Sequence, residues 1–211
     1  MNICVEGIDG CGKSTHVSRI AEELKLTKLK FPDKDTQVGK LIYEHLDGAW
    51  HAQRPGDAQV KADPVIDPLV FQAMHTANRY EAADLIRKAK TLTGVVIDRY
   101  WPSGFAYGAS DGVSPRWLID VHTSLPSMDL YLLLDIDIQD TINRRPERRD
   151  RYEKDMRFLE NVISWYRRLW AWKNATDHQG KWVVVNARGS KEQTYEQIDT
   201  AIKALYRERS K

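Results

Sequence analysis

The eight residues Gly7-Ile8-Asp9-Gly10-Cys11-Gly12-Lys13-Ser14 decide the fold of this 211-residue chain. They have the spacing Gly-x-x-x-x-Gly-Lys-Ser, in which the glycines let successive backbone amides wrap around phosphate oxygens. An apolar run over residues 2–7 precedes the loop and predicts a buried strand, and residues 13–26 have the apolar spacing of a helix. A strand, a glycine-rich loop and a helix in this order predict a phosphate-binding loop (P-loop) for ATP.

Each residue type in this loop has a predicted task. The helix that begins at Lys13 directs its positive N-terminal dipole at the phosphates. The ammonium group of Lys13 should reach the β- and γ-phosphates, and the Ser14 hydroxyl should bind Mg²⁺. The residues that we expect to contact ATP are Gly7, Gly10, Cys11, Gly12, Lys13, Ser14 and Thr15.

An acidic residue ends each of two later apolar runs, and either could complete a metal site. Asp98 follows Val95-Val96-Ile97, and Asp135 follows a run of leucines. Because the carboxyl ends of parallel strands meet at one edge of a sheet, a carboxylate at such an end faces the P-loop. We predict Asp98 as the metal-side acid, with Asp135 as the weaker competitor.

The rest of the chain alternates short apolar runs with segments of helical spacing. Strands are predicted near residues 26–31, 94–98, 129–135 and 181–186, and helices near 36–46, 67–89, 114–125, 138–144, 156–173 and 194–207. Apolar strands without polar alternation, separated by helices, predict a parallel sheet with helices on both faces. The expected architecture is therefore one α/β domain, residues 1–211, of the P-loop NTPase type. Residues 47–66 lack periodicity and are predicted to form an irregular insertion.

Composition excludes several classes of partner. The formal net charge of +2 argues against nucleic acid. No apolar run approaches the roughly 20 residues that span a bilayer, so no membrane partner is expected. The first residues do not resemble a signal peptide, and a cytoplasmic location with Cys4 and Cys11 as reduced thiols is predicted.

Two large classes of P-loop protein do not match. The guanine-reading Asn/Thr-Lys-x-Asp motif of translational-type GTPases does not follow the fourth or fifth strand. Motor-type ATPases usually end an apolar strand in adjacent acids, whereas Asp98 is followed by Arg99. The small size and an arginine-rich segment indicate phosphoryl transfer to a small acceptor.

Six blocks of sequence, in order, resemble the thymidylate kinase family. They are residues 6–15, 31–34, 77–81, 98–100, 103–107 and 151–153. The resemblance implies a five-stranded parallel sheet and an ATP-dependent, Mg²⁺-assisted transfer to a deoxynucleoside monophosphate, usually dTMP. Members of this family are commonly homodimers, so the resemblance also implies a homodimer.

The resemblance also assigns residues to the acceptor phosphate. Asp9 is expected between donor and acceptor, near the acceptor sugar and phosphate. Arg99 can hold the acceptor phosphate through two parallel hydrogen bonds. Lys34 occupies a position where the family usually has arginine, and lysine offers a point charge in place of a planar fork.

The same comparison predicts the pocket for the base. Arg79 matches the arginine that hydrogen-bonds the base in similar enzymes. His75 stands where the family generally has phenylalanine, stacked on thymine, and Phe71 could supply a ring instead. Ser103, Tyr107 and Tyr152 are expected to line the acceptor side. We hypothesise a pyrimidine deoxynucleotide as acceptor, with a modified base as an alternative.

Five arginines lie between Arg144 and Arg151, in the segment where related kinases carry a lid. Developing charge on the γ-phosphate requires cations, and a supplied arginine is worth about 10³-fold or more in rate. Because Gly10-Cys11 provides no arginine inside the loop, we expect the lid, residues 144–153, to supply it. The candidates are Arg144, Arg148 and Arg149, and the sequence does not choose among them.

Three functions remain open at this point. The first is a deoxynucleoside monophosphate kinase, the second a kinase for a nucleoside or another monophosphate, and the third a nucleotide-binding protein without turnover. Lys34 and Arg99 favour a charged acceptor over a neutral nucleoside. The insertion at residues 47–66 either remodels the acceptor pocket or covers a surface.

Overall fold

A five-stranded parallel sheet forms the centre of the protein. The computed structural model describes residues 1–47, 66–144, 155–176 and 180–209. Within these ranges the strands are β1 (Asn2–Glu6), β2 (Thr27–Lys30), β3 (Val95–Asp98), β4 (Leu130–Asp135) and β5 (Lys181–Asn186). Their order in the sheet is β2-β3-β1-β4-β5, and every pairing is parallel. This sheet confirms the predicted α/β fold of the P-loop type.

Helices connect the strands and cover the sheet. Those in the described part of the chain are α1 (Lys13–Leu24), α2 (Gln37–Leu46), α3 (Pro68–Glu81), α4 (Ala83–Leu92), α5 (Trp101–Ser110), α6 (Pro115–Asp120), α7 (Ile138–Arg144), α8 (Met156–Thr176) and α9 (Lys191–Arg209). None of these helices has both the length and the apolar character needed to cross a bilayer.

Two helical segments differ from the sequence prediction. The helix expected over residues 67–89 is interrupted at Ala82, which both ends α3 and precedes α4. Helix α5 was not predicted from periodicity, because eight of its ten residues are buried and it has no polar face. A helix buried on all sides lacks the alternation by which amphipathic helices are identified.

The sheet register brings the chemistry-bearing residues to one edge. Strand β1 lies in the middle, all five of its residues are buried, and Val5 pairs with Asp98 of β3. On the other side Glu6 pairs with Leu133 of β4. The P-loop, which leaves β1, therefore emerges between the carboxyl ends of β3 and β4.

Candidate active site

At the start of the P-loop, the backbone has a conformation that only glycine permits. Gly7 has φ +140°, and a Cβ there would lie 2.8 Å from both the Leu134 carbonyl oxygen and Cys11 Sγ. Gly12, with φ +98°, is the N-cap of α1 and provides no side-chain cap. The amides of the first turn of α1 are therefore open to an anion.

Lys13 folds back over this loop. It is 6% exposed, its Nζ donates to the Ile8 carbonyl oxygen at 2.8 Å, and it lies 3.8 Å from Asp9 Oδ1. The ammonium group and the open backbone amides together give the loop the kind of donors that suit phosphate oxygens.

The site contains a pair of oxygen donors suited to Mg²⁺. The Ser14 hydroxyl donates to Asp98 Oδ2 at 2.6 Å, and Asp98 is 2% exposed. Its second oxygen, Oδ1, is buried without a hydrogen-bond partner, so it can accept a further interaction. Mg²⁺ usually takes one or two carboxylates together with substrate phosphates and waters, and this donor set fits that pattern. Within the described ranges no group of three or more His, Cys, Asp or Glu side chains forms a separate metal site.

Asp135, the competing acid, is already occupied. The Arg167 side chain of α8 donates to both of its oxygens, with distances of 3.1 Å from Nε to Oδ1 and 3.0 Å from Nη2 to Oδ2. A carboxylate held by a planar guanidinium in this way is less available to a cation. The contacts favour Asp98 as the metal-side acid.

Arg99 links the end of β3 to the P-loop. Its Nη2 donates to Asp9 Oδ2 at 2.7 Å, and its Nη1 donates to Ser103 Oγ at 3.2 Å. The guanidinium carbon lies 5.3 Å from the centre of the Tyr107 ring. Asp9 is therefore placed between Lys13 on the donor side and Arg99 on the predicted acceptor side.

Helix α3 presents the predicted base-binding residues at intervals of one turn. The rings of Phe71 and His75 contact edge to face, with centroids 4.6 Å apart. Burial, and then the charge of Arg79, lowers the pKa of His75 well below its ordinary value, so the imidazole is neutral at neutral pH.

Arg79 is the most unusual group in this region. It is 3% exposed, and its Nε and Nη1 have no hydrogen-bond partner. Burial lowers the pKa of Arg79 to about 10, which still leaves the guanidinium charged at neutral pH. Buried donors without partners are costly, so a ligand that accepts hydrogen bonds here is favoured.

Two glycines of α5 allow α3 to approach so closely. A Cβ on Gly104 would lie 2.9 Å from Arg79 Nη1, and a Cβ on Gly108 would lie 2.9 Å from Gln72 Cγ. The two glycines are one helical turn apart and form a groove for the α3 side chains. This role is not evident from the sequence, although the spacing of the two small residues is visible in it.

Asn78 organises the loop that carries Lys34. Asn78 is fully buried, its Oδ1 accepts from the Asp33 amide at 2.8 Å, and its Nδ2 donates to Thr36 Oγ1 at 2.8 Å. Lys34 itself is exposed on this loop. Asn78 was not among the predicted site residues, and the only signal for it in the sequence is a polar residue next to Arg79 on a helix.

The remaining predicted residues fall into three situations. Ser103 and Tyr107 lie on α5 beside Arg99, with Ser103 6% exposed and Tyr107 half-buried. Arg144 ends α7 and donates through Nη2 to the carbonyl oxygens of Arg188 and Gly189, at 3.1 and 2.9 Å. Residues 48–65 of the predicted insertion, together with Arg148, Arg149 and Tyr152, lie outside the described residues.

Glu6 is a buried charged residue that was not among the predicted site residues. Its side chain is 0% exposed at the end of β1, and it accepts hydrogen bonds from residues around Arg99. The signal was present in the sequence, because a charged residue inside an apolar strand requires a specific set of partners.

Comparison with known proteins gives a consistent result. The sequence matches the family model described as thymidylate kinase over residues 5–198. Thymidylate kinase of Homo sapiens is 31% identical over 204 residues, which cover 93% of this chain and 86% of the human protein. The Dictyostelium discoideum enzyme is 28% identical over 206 residues, covering 94% of this chain and 82% of that protein. The solved structure of Candida albicans thymidylate kinase superposes with a TM-score of 0.77 at 25% identity, covering 96% of this chain and 90% of the other.

Proposed function

Because this chain belongs to the thymidylate kinase family, we propose that it transfers the γ-phosphoryl group of ATP to dTMP, giving ADP and dTDP. The position of Asp9 carries the proposal. Its two carboxylate oxygens face Lys13 Nζ at 3.8 Å and Arg99 Nη2 at 2.7 Å. The Asp9 carboxylate thus lies between Lys13, which would contact the donor phosphates, and Arg99, which would contact the acceptor phosphate.

The chemistry requires positioning more than proton transfer. The attacking oxygen of a nucleoside monophosphate is already anionic, so the reaction needs no general base. Lys13 would neutralise charge on the donor phosphates, while Arg99 would hold the acceptor phosphate in line with them. Bound Mg²⁺, held by Ser14 and Asp98, would neutralise charge on the β- and γ-phosphates.

Arg79 and His75 support a pyrimidine as the base. An unpartnered donor of Arg79, at Nε or Nη1, would suit a carbonyl oxygen of thymine, and the neutral His75 ring provides a flat face one turn away. Ring stacking contributes about 0.5–1.5 kcal/mol beyond area burial. The Candida albicans relative is described as having broad substrate specificity, so the acceptor is best tested over a panel.

Coupled measurement of ADP release separates the possible functions. The assay uses ATP and Mg²⁺ with dTMP, dUMP, dCMP, dGMP, dAMP, thymidine or a 5-modified dUMP, and a reaction without acceptor as the blank. We expect dTMP, or a 5-modified dUMP, to give the highest kcat/KM. A purine monophosphate preferred over every pyrimidine would contradict the proposed base, and no acceptor-dependent ADP release would favour a binding protein without turnover.

Substitution of His75 tests its contact with the base. His75→Phe should lower the KM for dTMP about threefold to tenfold, because a larger apolar face adds about 1 kcal/mol of stacking. His75→Ala should raise the same KM, because the ring contact is lost. Steady-state kinetics on both variants decide the matter. An unchanged KM in both would show that Phe71 or another ring contacts the base.

Other features complete the proposal. The arginine that neutralises the transferred γ-phosphoryl group would come from the 144–153 segment, with Arg144, Arg148 and Arg149 as candidates. Action as a homodimer in the cytoplasm, by a single domain, follows from the resemblance and the sequence and remains a prediction.

A further inference from the structure

We propose that Glu6 is a positioning residue for Arg99, a role that rests on the proposed function of Arg99 in holding the acceptor phosphate. The Glu6 side chain is not among the groups predicted to contact ATP or the acceptor, although its charge partly offsets the lowering of the pKa of Arg79 by burial. Its carboxylate instead fixes both the backbone and the side chain of Arg99 from inside the sheet.

The carboxylate of Glu6 has a complete set of donors. Oε1 accepts from the Tyr100 amide at 2.6 Å and from Cys4 Sγ at 3.4 Å. Oε2 accepts from Ser103 Oγ at 2.5 Å and from the Tyr166 hydroxyl at 3.1 Å. An ionised carboxylate only accepts, and these four contacts use all of its usual positions. The buried Glu6 charge is therefore stabilised by this particular set of four donors.

Two of these donors, the Tyr100 amide and the Ser103 hydroxyl, fix the position of Arg99. Arg99 has φ +65°, a conformation that costs a non-glycine residue free energy and persists only when its surroundings impose it. The Arg99 amide donates to the Val5 carbonyl oxygen at 3.0 Å, and the next amide, of Tyr100, donates to Glu6. Strand β1 therefore holds the backbone on both sides of the strained residue.

Ser103 extends the same control to the guanidinium. Its hydroxyl donates to Glu6 while its oxygen accepts from Arg99 Nη1 at 3.2 Å. The other end of the guanidinium donates to Asp9 at 2.7 Å. Glu6, Ser103, Arg99 and Asp9 therefore form one continuous chain of contacts from the sheet to the P-loop.

Tyr166 connects this chain to α8. Its hydroxyl lies 3.1 Å from Glu6 Oε2 and 2.8 Å from Ser103 Oγ, and its ring is 1% exposed. Loss of the Glu6 charge should therefore disturb the orientation of Arg99 more than it disturbs the P-loop. Substitution of Glu6 should therefore affect the kinetic constants for dTMP more than those for ATP.

Glu6→Gln is the decisive variant, because glutamine keeps the shape and two acceptor positions while it removes the charge. We expect kcat/KM for dTMP to fall about 10²-fold, as for a positioning error near the reacting atoms. The KM for ATP should change less than about twofold, since the P-loop retains its own contacts. Cys4→Ala is the matched control, because it removes a contact to Glu6 that does not lead to Arg99.

The outcomes are distinct. Thermal unfolding should show that both variants are folded. Steady-state kinetics should show that only Glu6→Gln has a lower kcat/KM for dTMP. Equal kinetic losses in both variants, or a parallel loss for ATP and dTMP, would mean that Glu6 only stabilises the fold. A crystal structure of Glu6→Gln provides a readout that does not depend on the acceptor. An unchanged Arg99, with φ near +65° and both side-chain contacts intact, would overturn the proposal even if dTMP proved not to be the substrate.

Discussion

Arg99→Lys should lower kcat/KM for dTMP by about 10²–10³-fold, because hydrogen bonds to charged groups contribute about 1.5–3 kcal/mol each and lysine cannot form the parallel pair. Lysine retains a positive charge and faces the same backbone restriction at φ +65°, so the substitution isolates the loss of the planar fork. Steady-state kinetics with dTMP varied at saturating ATP measure the effect.

The same variant should change the KM for ATP by less than about twofold, because Lys13 and the loop amides are the groups proposed to bind ATP and Arg99 is not among them. The control is Arg87→Lys, which alters an exposed ion pair with Asp84 at 2.6 Å on α4 and should leave both kinetic constants unchanged. If Arg99→Lys weakens ATP and dTMP equally, Arg99 supports the whole loop and its assignment to the acceptor is wrong.

The fold could be predicted from sequence because its elements are repetitive and strongly patterned. Strands dominated by apolar residues, such as β4 with its leucines before Asp135, and the glycine-rich loop after β1 are recognisable from local composition. Helix α5 could not be predicted in that way. Its burial depends on α3, α6 and α8 packing against it, which is a tertiary property.

The candidate site divides along the same line. Lys13, Ser14 and Asp98 follow from the spacing of the loop and from the topology of parallel strands, so the sequence sufficed to propose them. The part played by Glu6 depends on which donors reach it across the fold, and Ser103 and Tyr166 lie 97 and 160 residues away along the chain. No local pattern contains that information. The close approach of Gly104 to Arg79 is likewise visible only when α3 and α5 are packed together.

The second large effect is expected at the metal-side acid. Asp98→Asn should lower kcat by about 10²–10³-fold, because charge stabilisation through a metal ion contributes several kcal/mol to phosphoryl transfer. Asparagine keeps an acceptor for the Ser14 hydroxyl, now at 2.6 Å, but removes the negative charge beside the unpartnered Oδ1. The Mg²⁺ concentration for half-maximal rate should rise about 10–100-fold, as found when groups around a metal are altered.

Asp135→Asn is the matched control, because it neutralises the acid at the end of β4, which lies on the other side of β1 from β3. Its carboxylate is held by Arg167 at 3.0 Å, so its loss should reduce stability slightly and leave the Mg²⁺ dependence unchanged. Rates measured over a range of Mg²⁺ at fixed ATP, with thermal unfolding of each variant, distinguish the two acids. A larger Mg²⁺ shift in Asp135→Asn than in Asp98→Asn would move the metal site from β3 to β4. The buried, unpartnered oxygen of Asp98 would then need a different explanation.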